Sequence, residues 1–138
     1  MWIFTKDGFY SAVWNKHCRR DEVMIRSQSK EDLSRLIKKI RGYCDESKII
    51  EIEQVDYRFR IKIPKDAWSD YLADCALHLD YPEVKNHILP DGDQLRKDAY
   101  YQIWQTIYRW RTKMDTETKD GDGQSKGIKL LPPLRWKK

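Results

Sequence analysis

Two neighbouring stretches of strict two-residue alternation constrain the fold of this chain more than any other feature. Ile49 to Gln54 sets Ile50 and Ile52 against Glu51 and Glu53, and Tyr57 to Ile63 sets Tyr57, Phe59, Ile61 and Ile63 against Arg58, Arg60 and Lys62. Successive side chains of an extended strand point to opposite faces, so each stretch reads as a half-buried strand with one face on a core and the other in water. The polar faces carry opposite charge, which favours the two strands as antiparallel neighbours at roughly 0.2–1 kcal/mol per cross-strand pair. The pattern predicts a hairpin around Gln54-Val55-Asp56.

The remaining elements follow from punctuation and periodicity. Trp2 to Trp14 is rich in aromatic and β-branched residues, interrupted by Lys6-Asp7-Gly8, and reads as one bulged strand or as a hairpin turned at Asp7-Gly8. A polar loop runs from Asn15 to Glu22, and Val23 to Ser27 forms a short second strand. Ser29 is placed to cap a helix whose apolar stripe is Leu33, Leu36, Ile37 and Ile40, ended by Gly42. Pro64 suits a helix entrance, after which Trp68, Tyr71, Leu72, Cys75 and Leu79 recur at helical spacing until Tyr81-Pro82. Asp93 can cap a third helix to about Met114, with Tyr100, Ile103, Trp104, Ile107 and Met114 on its buried side. Residues 115–138 lose periodicity and read as a flexible basic tail, within which 128–138 is apolar, proline-containing and basic enough to dock on a partner.

The order strand, strand, helix, strand, strand, helix, helix gives an α+β fold class: a permuted ferredoxin-like β-β-α-β-β-α sandwich with an additional C-terminal helix. In the parent topology the first and last strands are antiparallel neighbours, so a last strand moved to the front can hairpin directly into the next. The predicted organisation is a single α+β domain over 1–114 followed by the tail. A length of 138 residues fits one core. The longest apolar runs are far below the roughly 20 residues that cross a bilayer. Three widely spaced cysteines, Cys18, Cys44 and Cys75, argue against a disulfide framework and for a reducing, cytoplasmic setting. With 27 basic and 22 acidic residues the net charge of +5 permits an anionic partner without demanding one.

Met1-Trp2-Ile3-Phe4, Gly8-Phe9-Tyr10-Ser11, Asp56-Tyr57-Arg58, Asp80-Tyr81-Pro82-Glu83-Val84-Lys85 and Tyr100-Tyr101-Gln102-Ile103-Trp104 stand in order along the first 110 residues. In these motifs the chain resembles a group of short uncharacterised bacterial proteins. The resemblance implies a bacterial or phage origin and assigns no activity.

Chemistry-bearing residues are few. Cys75 and His78, with His17 and Cys18, lack the close paired spacing of a zinc site, so no metal and no cofactor is expected. Cys18 beside His17, Arg19 and Arg20 is the most activated-looking thiol, but a solvated basic loop with an incidental cysteine is the favoured reading. Asp56 and Asp80 could hold Mg²⁺ in a ferredoxin-like nuclease, yet each precedes a tyrosine at a turn, where aspartate commonly satisfies backbone amides. No catalytic residue is assigned. The remaining signal is basic and aromatic interleaving: Arg96, Lys97, Arg109, Arg111 and Lys113 share the third helix with Tyr100, Tyr101, Trp104, Tyr108 and Trp110, and the tail adds Lys129, Arg135 and Trp136. The loop carrying Tyr81, Lys85 and His87 precedes that helix. The expectation is a non-enzymatic binding module or adaptor for a protein complex or nucleic acid. The alternatives are a phage-host conflict factor of anti-CRISPR type, acting by protein contacts, and the metal-dependent nuclease.

Overall fold

The computed structural model describes residues 1–82, 84–87 and 93–120, with the backbone alone at 85, 86 and 115–120. The chain divides into two compact units, Met1–Gly92 and Asp93–Lys138. Among the described residues, the first holds β1 (Trp2–Phe4), β2 (Phe9–Val13), β3 (Glu22–Ser27), α1 (Lys30–Lys39), β4 (Ile50–Glu51), β5 (Phe59–Pro64), α2 (Lys65–Leu77) and a single helical turn, α3 (Val84–His87). The strands form one antiparallel sheet in the order β1-β2-β3-β5-β4.

Alternation decides which residues meet the core. The register sets Ala12 opposite Ile25 and Ile25 opposite Ile61, so these side chains share one face, joined by Tyr10, Val23 and Ile63. The apolar stripe of α1 (Leu33, Leu36, Ile37), with Ile40 just past its end, and Trp68 and Tyr71 of α2 complete the same buried cluster. Ser29 caps α1 by accepting from the Asp32 amide at 3.4 Å. Gly42, with φ of +91°, lies just beyond, in backbone that glycine adopts without a Cβ penalty.

The first segment is two strands, so the sheet has five strands where four were expected, but the turn falls on Lys6-Asp7, between Thr5 and Gly8, with the Thr5 amide donating to the Gly8 carbonyl at 2.9 Å, and Gly8 does not adopt a positive φ. The β4–β5 hairpin forms as predicted, with Arg58 donating to Glu51 at 2.7 Å across it. Its first strand is a correction: β4 spans only two residues, and Ile50 and Ile52 are both exposed. Its register with β5 sets Ile50 opposite Arg60 and Glu51 opposite Phe59, so the apolar side of β4 falls on the face turned away from the core. Leu79 is a second correction, since α2 ends at Leu77 and Leu79 is exposed beyond it.

The second unit contains α4, Gln94–Asp120, about 40 Å long at the usual helical rise. Asp93 caps it, accepting from the Arg96 amide at 3.1 Å. The helix runs past Met114 because residues 115–120 hold neither glycine nor proline; Gly121 is the first breaker after them. Lys129, Arg135, Trp136 and the expected docking segment 128–138 lie outside the described residues. No helix among the described residues is long and apolar enough to cross a membrane.

Candidate interface on the C-terminal helix

Tyr100, Ile103, Ile107, Trp110 and Met114 are spaced three and four residues apart along α4, which places them along one side of a helix. Trp104 and Tyr108 widen that stripe. Trp104 stacks on Tyr108 with ring centroids 5.6 Å apart and an interplanar angle of 23°, and Tyr101 lies 5.9 Å from Trp104. Of the side expected to be buried, Tyr100 and Ile103 are half-buried, whereas Trp104, Ile107 and Met114 are exposed, Ile107 by 59 % and Met114 by 46 %; Trp110 beside them is 59 % exposed. Among its described residues this unit contains no strand, so no sheet of its own covers the stripe.

The predicted cations divide between roles. Arg96 pairs with Asp93 through Nε at 2.9 Å, inside the same turn that caps the helix. That pair serves the helix N-terminus, where an acidic residue is favoured by the backbone dipole. Arg109, Arg111 and Lys113 are exposed on the last described turns, and Lys97 is half-buried on the second. In the first unit, Tyr81 is half-buried with the Lys6 ammonium 5.3 Å from its ring centroid, and His87 is exposed on α3. Lys85 shares that turn by backbone. The interval read as a loop is thus partly helical.

The other candidates are held in structural contacts. Lys6 binds the Asp80 carboxylate, which keeps its pKa below the usual range. Asp56 accepts from Arg26 at 3.1 Å and from the Tyr57 amide at 3.0 Å. Cys18 is buried rather than solvated, its Sγ 3.7 Å from Asn15 Oδ1. Cys75 packs on the core and burial raises its thiol pKa. His78 Nδ1 lies 2.9 Å from the Asp74 carbonyl. Among the described residues no three His, Cys, Asp or Glu side chains gather in a metal-binding group.

Sequence reasoning missed a buried polar cluster where the β1–β2 turn meets α1 and α2. Asp32, only 3 % exposed, accepts from the Phe9 amide at 3.0 Å and from Ser27 Oγ at 3.3 Å, and pairs with Arg35. The Tyr10 hydroxyl donates to the Asp32 carbonyl at 2.9 Å. The Tyr71 hydroxyl donates to Asp7 at 3.0 Å and lies 2.8 Å from the Thr5 hydroxyl. Burial first, then the carboxylates of Asp32 and Asp7, pushes the Tyr10 phenol far above its ordinary value; burial does the same to Tyr71. Every contact in this cluster is internal, so its chemistry is that of a latch between elements. The one sequence signal for it is Gly8, whose lack of a Cβ lets Asp32 approach.

No family model, curated protein or solved structure matches this chain.

Proposed function

We propose that this chain is a non-enzymatic binding module that docks on a protein partner through the aromatic and aliphatic side of α4. The observation that carries the reading is the exposure of Ile107, Trp110 and Met114 beside the stacked Tyr101, Trp104 and Tyr108. A helix presenting anchors at this spacing fits a hydrophobic groove, and tryptophan and tyrosine are the residues that dominate such interfaces. A phage-host conflict factor acting by protein contacts would use this same side.

The fold we read as permuted ferredoxin-like. Its support is the unit β3–α1–β4, in which β5 is inserted between the two strands that α1 connects. The motif resemblance to short bacterial proteins supports reading a bacterial or phage setting, and the free cysteines favour the cytoplasm.

The test is affinity enrichment from a bacterial lysate using the full chain and an Ile107→Ser/Trp110→Ser variant, with melting temperature measured in parallel. The expected result is a protein captured by the parent and lost with the variant at unchanged melting temperature. Identical captured sets refute the reading. Retention on double-stranded nucleic acid that collapses with salt and with Arg109→Gln would assign α4 to phosphate contacts instead.

A further inference from the structure

The sheet face turned away from the core carries a row that crosses all five strands. Trp2 pairs with Ser11, Ser11 with Arg26, Arg26 with Arg60, and Arg60 with Ile50. Directly paired residues share a face, so these five side chains stand side by side, and alternation adds Lys62 to the same face. The feature at odds with stability is its centre. Arg26 and Arg60 are directly opposed, and like charges in that position repel. Moreover, both Nε atoms are buried without a hydrogen-bond partner, which costs desolvation with nothing in return.

Partial compensation is visible. Arg26 donates to Asp56 at 3.1 Å and to Ser11 Oγ at 2.9 Å, with its guanidinium 4.5 Å from the Tyr57 ring centroid. Arg60 donates to the Tyr57 carbonyl at 2.7 Å. Asp56 is thus the one carboxylate that the described residues set against the two arginines, and its side chain is largely exposed. A guanidinium pair with one exposed counter-charge is complementary to a phosphate.

Beside the pair lies a line of rings. Phe4 stacks on Phe9 at 4.6 Å, Trp2 meets Phe9 edge-on at 5.7 Å, and Tyr57 lies 6.3 Å from Phe9. Trp2 is 65 % exposed. Rings on a sheet beside arginines suit unpaired bases, which stack on aromatics while the backbone lies on the cations. A duplex keeps its bases stacked within itself and cannot use the rings.

We infer that this sheet face binds a short segment of single-stranded nucleic acid, with Arg26 and Arg60 on one phosphate and Trp2 under a base. The inference is independent of the α4 reading, since all its residues lie in the first unit.

The experiment is fluorescence anisotropy of the full chain with labelled oligouridylate and oligothymidylate, a duplex of equal length, and inorganic phosphate as competitor. Single strands are expected to bind more tightly than duplex. Arg60→Gln should weaken binding about tenfold and lower the slope of log K against log salt by about 0.7, the value for one phosphate contact on a single strand. Trp2→Ala, at an exposed edge position, should weaken binding at least fivefold at unchanged melting temperature, as the loss of one stacked base requires. Lys30→Gln on α1 should leave affinity unchanged. The inference is overturned by no single-strand binding up to about 100 µM, the weak end of ordinary non-specific affinity. It is also overturned by duplex binding as tight as single-strand binding, or by unaltered affinity in both Arg60→Gln and Trp2→Ala.

Discussion

Gly8→Ala is the sharpest perturbation of the fold. A Cβ on residue 8 would stand 2.5 Å from Asp32 Cγ, 2.6 Å from Oδ2 and 2.7 Å from Cβ. Ordinary contact between carbon atoms needs roughly 3.5–4.0 Å, so one side must move by about 1 Å. Asp32 has little room, being buried in the first turn of α1 and bonded to Phe9, Ser27 and Arg35. Overpacking of this kind costs about 1–3 kcal/mol, and loosening one hydrogen bond to a buried carboxylate adds about 1.5 kcal/mol or more. The stiffer unfolded chain returns about 0.4–1 kcal/mol. A net loss of about 1.5–4 kcal/mol follows, which lowers the melting temperature by roughly 6–30 °C for a unit of this size. Thermal and urea denaturation followed by circular dichroism measure it, with the urea midpoint falling at constant slope. In an Asp32→Ala background, where two of the three clashing atoms are gone, the same substitution should cost distinctly less. A Gly8→Ala protein within about 0.5 kcal/mol of its parent, inside the range of ordinary surface substitutions, would refute the reasoning.

Three further outcomes are expected. Tyr10 and Tyr71 have pKa values raised in the folded state, so their contribution is fully present below the ordinary tyrosine pKa and declines as pH rises beyond it; tyrosinate absorbance should show two phenols ionising only with alkaline unfolding, in step with loss of circular dichroism. Lys6→Met should raise the Asp80 carboxyl pKa toward the ordinary aspartate value, readable by carbonyl NMR titration, because the Lys6 contact is the largest cause of its depression. Leu36→Ala, at a fully buried position, should cost about 2–5 kcal/mol in urea denaturation, whereas Leu95→Ala, 86 % exposed, should fall within about 0.5 kcal/mol of the parent.

Local signals carried far where the physics is local. The cap at Ser29, the stripe from Leu33 to Ile40 and the hairpin before Arg58 are each complete within a few residues, and each forms; the first hairpin forms too, with its turn one residue earlier, at Lys6-Asp7. What failed depends on remote neighbours. Ile50 and Ile52 alternate as a buried strand does, yet burial needs a layer over the sheet margin, and alternation is silent about that. Asp32 reads as an ordinary acid in a helix first turn, since its burial is created by Gly8 arriving from a distant part of the chain. The stripe on α4 has the same spacing whether it meets its own sheet or another molecule, so periodicity located the helix but misassigned the exposure of Ile107 and Met114. The Arg26–Arg60 row was invisible for a related reason: strand alternation gives each residue's face, but only the register sets the two arginines opposite one another.

The two outermost strands are very short, three residues in β1 and two in β4. Each therefore offers few unpaired amides and carbonyls to an incoming chain, and next to β4 the Arg58–Glu51 bridge interrupts the margin with charge. Templated growth into fibrils by strand addition is accordingly disfavoured, and self-association should instead proceed through side chains.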